Sequence, residues 1–144
     1  ADMGNAVFVA AMLELPTMAF FSKMSEKINC GTLIKFSILM FCVKHALTYF
    51  ATNMIMIYLA QVCQMFAYAL FIPASVYYVN EKIALADRIK GQSLVTTSMT
   101  LSGVFANFAG GIMLDALGVG HVLLAGIILS IVGAVIVILT TEKV

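Results

Sequence analysis

Apolar residues run through this chain in long blocks broken by short polar connections, rather than in the alternating or one-sided patterns of water-soluble elements. Blocks long enough to cross about 30 Å of hydrocarbon fall at residues 4–22, 33–51, 53–79, 93–115 and 120–140. The pattern predicts an all-α membrane protein with five transmembrane helices. The second and third blocks nearly abut at Thr52, which predicts a tight helical hairpin. The third exceeds the usual ~20 residues and is expected to tilt or bend, with Pro73 as the natural site.

The polar connections are one-sided in charge. Lys23, Lys27 and Lys35, then Lys82, Arg88 and Lys90, then Lys143 all fall on one side, so seven of the eight basic residues share it. The opposite side holds none, and the remaining one, Lys44, lies inside the second block. Lys and Arg in short connections stay in the cytoplasm, so the C-terminus is expected there and the N-terminus outside. Residues 80–90 read as a polar cytoplasmic connection, in which Asp87 is expected to cap the helix leading into the fourth block.

Composition narrows the function classes. Of 144 residues, 62% are hydrophobic and 10% charged, against roughly 25% charged in soluble domains, and a soluble fold is excluded. The net charge of +1 offers no basic groove for a nucleic-acid backbone. Cys30, Cys42 and Cys63 are odd in number and lack C-x-x-C spacing, so neither a disulfide nor a metal site is expected, and no cofactor. The ten methionines read as flexible packing. The opening Ala-Asp-Met-Gly-Asn has no signal-peptide pattern and reads as an internal cut in a longer chain.

Polar groups inside the blocks carry the functional information. A carboxylate or ammonium at the centre of a membrane helix costs roughly 2.5 to 3.5 kcal/mol, so Glu14 and Lys44 are expected to face a protein interior or a water-filled cavity. At about 1.5 Å per residue, Glu14, Lys44 and Gln64 fall at similar depths in three neighbouring blocks. Gln61, Gln64 and Tyr68 stand at i, i+3 and i+7 and share one helical face. That stripe lines a cavity or makes hydrogen bonds between packed helices, and a fixed Glu14–Lys44 ion pair is the corresponding structural reading. His45 points elsewhere on the helix and reads as a packed or interfacial residue. Gly103, Asn107 and Gly111 recur every fourth residue with Gly110 beside them, a face on which helices approach closely. Ser93, Thr96, Thr97 and Thr100 are expected to bond within their own helix.

Three segments carry a family likeness: ELPTMAFFSKMSEKI at 14–28, QVCQMFAYALFIPASVYYVNE at 61–81, and DRIKGQSLVTTSMTLSGVFANFAGGIMLDALG at 87–118. In order and spacing the chain resembles spans eight to twelve, in the C-terminal half, of a major facilitator superfamily transporter, in the branch of lactose permease and phenylpropionate-permease-like proteins. The resemblance implies a partial major facilitator fold of five from twelve helices, in a bacterial-type plasma membrane, completed by a missing N-terminal half of the same transporter. It implies that Glu14 helps bind solute and couple it to protons, with Lys44 where the family often has a ninth-span arginine. Gln64 and Ala67 stand where lactose permease has a coupling histidine and carboxylate; neither titrates near neutral pH, which draws the likeness toward the phenylpropionate-like branch.

The expected function is therefore proton-coupled import of a small organic solute by alternating access, with the lipid bilayer, the solute and the proton as partners. A membrane sensor or assembly protein that reuses the same packing without transporting is the alternative. An enzyme is not expected, because no Ser–His pairing, His–Glu metal spacing or carboxylate pair at one depth is present.

Overall fold

The computed structural model describes residues 4, 8, 12, 16, 19–21 and 23–142. Most of the block at 4–22, including Glu14, lies outside the described residues, as does Lys143. Four helices follow: α1 (Cys30–Tyr49), α2 (Met54–Lys82), α3 (Arg88–Leu117) and α4 (Val119–Thr140), with a 3-10 turn at Leu85–Asp87 leading into α3. The described residues contain no strand, and all four helices are long and apolar enough to cross a membrane.

Helix ends are set by backbone and cap bonding, which hydropathy does not register. α1 begins three residues before the apolar block because the Asn29 carbonyl accepts from Thr32 N at 2.9 Å and Leu33 N at 3.1 Å. The Asn53 side chain caps α2, its Oδ1 accepting from Met56 N at 3.0 Å. α2 then runs unbroken through Pro73. α3 starts at Arg88, ahead of the apolar block at 93, with a polar first turn. Asp87 occupies its N-cap position without a side-chain cap bond; the carboxylate instead accepts from Lys90 Nζ at 2.8 Å. Gly118 joins α3 directly to α4 at φ 80°, a backbone conformation that a Cβ disfavours. At a rise of 1.5 Å, α2 and α3 measure about 43 and 45 Å, so each tilts or projects beyond the hydrocarbon.

α1 and α2 form an antiparallel hairpin across residues 50–53. Between helices in lipid, attraction comes from close packing rather than from expelling water, and the seam is built accordingly. Ala60, Ala67 and Ala74 recur every seventh residue on α2 and are 1%, 0% and 0% exposed. Phe36–Phe66 and Phe41–Phe71 meet edge to face across the hairpin, each with ring centroids 6.4 Å apart. Near the end opposite the hairpin turn, Phe21, Leu33, Ile34, Leu70 and Ala74 form the core cluster, with Phe71, Tyr78 and Val137 packed against it. That end also carries Lys82, Arg88 and Lys90, and is called the basic end below.

α4 lies against α1 through a stripe of small residues, Gly126, Ser130 and Ala134. A Cβ at Gly126 would stand 3.2 Å from His45 Cδ2, and the Cys42 thiol donates to the Ser130 carbonyl at 3.3 Å. At the basic end Glu142, just past α4, pairs with Lys82, and its backbone N–H donates to the Tyr78 hydroxyl at 3.3 Å. α3 has no buried residue. It is held to α2 at the basic end and to α4 through the Gly118 turn.

Candidate functional site between α1 and α2

The hairpin brings Lys44 and Gln64 together: Lys44 Nζ donates to Gln64 Oε1 across the α1–α2 interface, and both side chains are half-buried. Lys44 stands about 7.5 Å from the hairpin end of α1, and Gln64 about 15 Å into α2. Their backbones therefore differ in depth by about 7.5 Å. The gap closes because helical side chains slant toward their own N-terminus. On α1, which runs toward the hairpin, Lys44 leans back toward the basic end; on α2, running away from it, Gln64 leans toward the hairpin. The two slants converge.

Chemically, the contact places an ammonium against a neutral amide oxygen. Gln64 Oε1 relieves part of the cost of carrying that charge inside a helix pair, while the amide's own NH2 remains a donor. Thr48 Oγ1 donates to the Lys44 carbonyl at 2.9 Å, satisfying the backbone behind the charge.

Gln61 and Tyr68 continue the stripe on the flank of the alanine seam. Gln61 is half-buried and Tyr68 exposed, and neither makes a hydrogen bond within the described residues. The structure thus joins Lys44 to Gln64 and leaves the other two polar groups of that face open, while Glu14 lies outside the described residues. His45 turns away from Lys44; its Nδ1 meets the Phe41 carbonyl at 2.8 Å and its ring rests against Gly126, in the α1–α4 contact.

The close helix approach expected at Gly103, Asn107, Gly110 and Gly111 is not made within the described residues. A Cβ built at any of these glycines meets nothing within 4 Å, and Asn107 is exposed. α3 leaves the seam formed by the other helices, so that face has no described neighbour. The same spacing does its packing on α4, at Gly126, Ser130 and Ala134, where sequence reading had not placed it; the four-residue recurrence was available there too. Thr96 and Thr100 bond to the carbonyls of Gln92 and Thr96 in their own helix, both at 3.0 Å. Also unanticipated is Gln92, whose Nε2 reaches across to the Val76 carbonyl at 2.9 Å and to Asn80 Oδ1 at 3.3 Å on α2.

Comparison with known proteins agrees with this architecture. No curated protein and no solved structure matches the chain. The family model of the Major Facilitator Superfamily matches residues 1–144. With apolar membrane-length helices throughout the described chain and a family match over its whole length, the chain belongs to the Major Facilitator Superfamily, a family of integral membrane transporters.

Proposed function

We propose that the chain forms part of a secondary active transporter that imports a small organic solute with protons by alternating access, completed by an N-terminal half of the same protein. The observation that carries this reading is the Lys44–Gln64 contact inside two membrane-length helices. A charge kept inside a pair of membrane-length helices marks a solute or ion path by default. Gln61 and Tyr68, open on the same face, supply further solute contacts. Glu14 is the proton carrier: desolvation favours its neutral form and a nearby ammonium its charged form, so opening to water or binding of solute switches it.

Substrate in this family architecture sits near the midplane between the two halves, which is where the α1–α2 polar face belongs. The bias of basic residues supports a cytoplasmic basic end and C-terminus. The test is proton-driven solute accumulation by the full-length protein in proteoliposomes. Glu14→Gln is expected to abolish accumulation down a proton gradient while exchange without a gradient survives. Accumulation retained in Glu14→Gln removes the carboxylate from coupling; a full-length protein that moves no solute under any gradient leaves the sensor or assembly reading.

A further inference from the structure

Where α3 parts from α2 at the basic end, the two helices border a shallow, solvent-open groove of about 500 Å³. Its polar walls are Asn80, Arg88, Gln92, Ser93, Thr96 and Thr97. The walls are fixed rather than loose. A Cβ at Gly91 would lie 2.5 Å from Ile83 Cδ1, so the first turn of α3 seats directly on the end of α2. Gln92 then crosses to bond Val76 and Asn80.

The chemistry of these walls is asymmetric. Bonding from Gln92 occupies the Asn80 carbonyl oxygen and leaves the Asn80 NH2 as a donor. Arg88 Nε donates to the Ile83 carbonyl at 3.5 Å, and the guanidinium Nη groups have no hydrogen-bond partner among the described residues. No carboxylate lines the groove. Of the nearby acids, Asp87 is engaged by Lys90 and Glu142 by Lys82, and Glu81, next to Asn80 on α2, stands outside the groove lining. A guanidinium with free paired donors, beside amide and hydroxyl groups in a groove wall that holds no carboxylate, matches the planar oxygens of a carboxylate or phosphate.

We propose that this groove is an oxyanion site that receives the carboxylate or phosphate group of the transported solute at the basic end of the protein. The proposal rests on the transporter reading above and names its substrate class: an organic anion. Polar residues continue up α3 from the groove at Ser93, Thr97, Thr100 and Asn107, spaced along one side of the helix and interrupted by the exposed Val104, while Ile89 adds an apolar patch to the groove wall.

The test uses the full-length protein in phosphatidylcholine vesicles, with Thr97→Cys as the reporter and the unmodified protein as background for its native thiols. Labelling rates are compared for an anionic sulfonatoethyl and a cationic trimethylammonioethyl methanethiosulfonate, each relative to a small thiol in solution. A preference for the anionic reagent of about tenfold is expected from one unshielded cation at this range. Arg88→Gln is expected to bring the ratio near unity and Arg88→Lys to keep most of it, which separates loss of charge from loss of fold. Millimolar benzoate or inorganic phosphate is expected to slow labelling only when the cation is present.

Equal labelling by the two reagents, or no labelling by either, overturns the site. Protection by phosphatidylglycerol in the vesicles, with none by benzoate or phosphate, assigns it to lipid headgroups and overturns the solute. Protection only by an acidic segment of the protein itself, seen as a Thr97→Cys that labels after that segment is neutralised, overturns it likewise. The labelling ratio requires no transport, so absence of uptake with the anion preference intact would count against the transporter reading alone.

Discussion

Gly126→Leu tests the packing that holds α1, and with it Lys44, in place. A Cβ at position 126 would stand 3.2 Å from His45 Cδ2 and 3.8 Å from Nε2, against about 3.5 to 4.0 Å for an unstrained carbon contact. Alanine therefore asks the ring to yield by a few tenths of an ångström. Leucine adds three more carbons in a space already occupied, and His45 is tethered by its Nδ1 bond to the Phe41 carbonyl at 2.8 Å. Either that bond breaks, at about 1 kcal/mol, or α4 moves off α1, at about 1 to 3 kcal/mol for an overpacked contact. Moving α4 would also part the Cys42–Ser130 bond one turn further on and uncover Ala134, now 5% exposed.

A loss of about 2 to 3 kcal/mol is expected for Gly126→Leu by equilibrium unfolding in mixed micelles, and well under 1 kcal/mol for Gly126→Ala. His45→Ala removes the obstructing ring, so combining it with Gly126→Leu is expected to recover at least about 1 kcal/mol relative to the sum of the single changes. If Gly126→Leu costs nothing, or if the two changes simply add, α4 does not brace α1 at this crossing.

Three further outcomes follow from other contacts. Gln64→Leu is expected to destabilise by about 1 to 2 kcal/mol, because it removes an acceptor from a half-buried ammonium; Gln64→Leu with Lys44→Met should cost less than the sum, and strict additivity would dissolve the pair. The hydrogen bond from Lys82, and then its charge, hold the Glu142 carboxyl below the usual carboxylate range. A depressed pKa contributes stability that is present above the ordinary glutamate pKa and lost as pH falls through the lowered value. The protection factor of the Glu142 amide, its exchange rate divided into the intrinsic rate at each pH, should therefore hold at neutral pH and fall only in acid, a transition that Glu142→Gln should erase. Finally, a cysteine at Thr52 should react with impermeant reagents from outside the cell; reaction only from the cytoplasm would invert the orientation.

Four membrane-length helices could be read from the sequence because hydrocarbon imposes a single requirement, an unbroken apolar run of sufficient length. Their ends could not, because capping is local chemistry: the Asn53 side chain caps α2 through Met56 N, whereas Asn29 at the start of α1 makes no side-chain cap bond and Asp87, an equally good cap by type, spends its carboxylate on Lys90. Packing faces were legible only as candidates. Gly103, Asn107 and Gly111 on α3 and Gly126, Ser130 and Ala134 on α4 have the same four-residue spacing, yet only the second set touches a neighbour among the described residues. Spacing states that a face is smooth; which face is covered depends on where the other helices lie. The groove residues Arg88 and Gln92 escaped for a related reason, since a polar helix start next to a loop looks like loop.

The Lys44–Gln64 contact shows how direction along a helix decides which polar groups meet. Gln61 stands about 10.5 Å into α2, closer in depth to the Lys44 backbone at about 7.5 Å than Gln64 is at about 15 Å. By depth alone Gln61 should take the ammonium. Because the Lys44 side chain slants toward the basic end while both glutamines slant toward the hairpin, the ammonium passes the level of Gln61 and meets Gln64. Gln61→Leu should then leave stability almost unchanged and weaken solute binding, whereas Gln64→Leu should lower both. Unfolding free energy and solute affinity, measured on the same two variants of the full-length protein, separate these roles. Equal destabilisation by the two replacements would mean that Lys44 shares its proton donors between both amides, and that the convergence of slants does not select its partner.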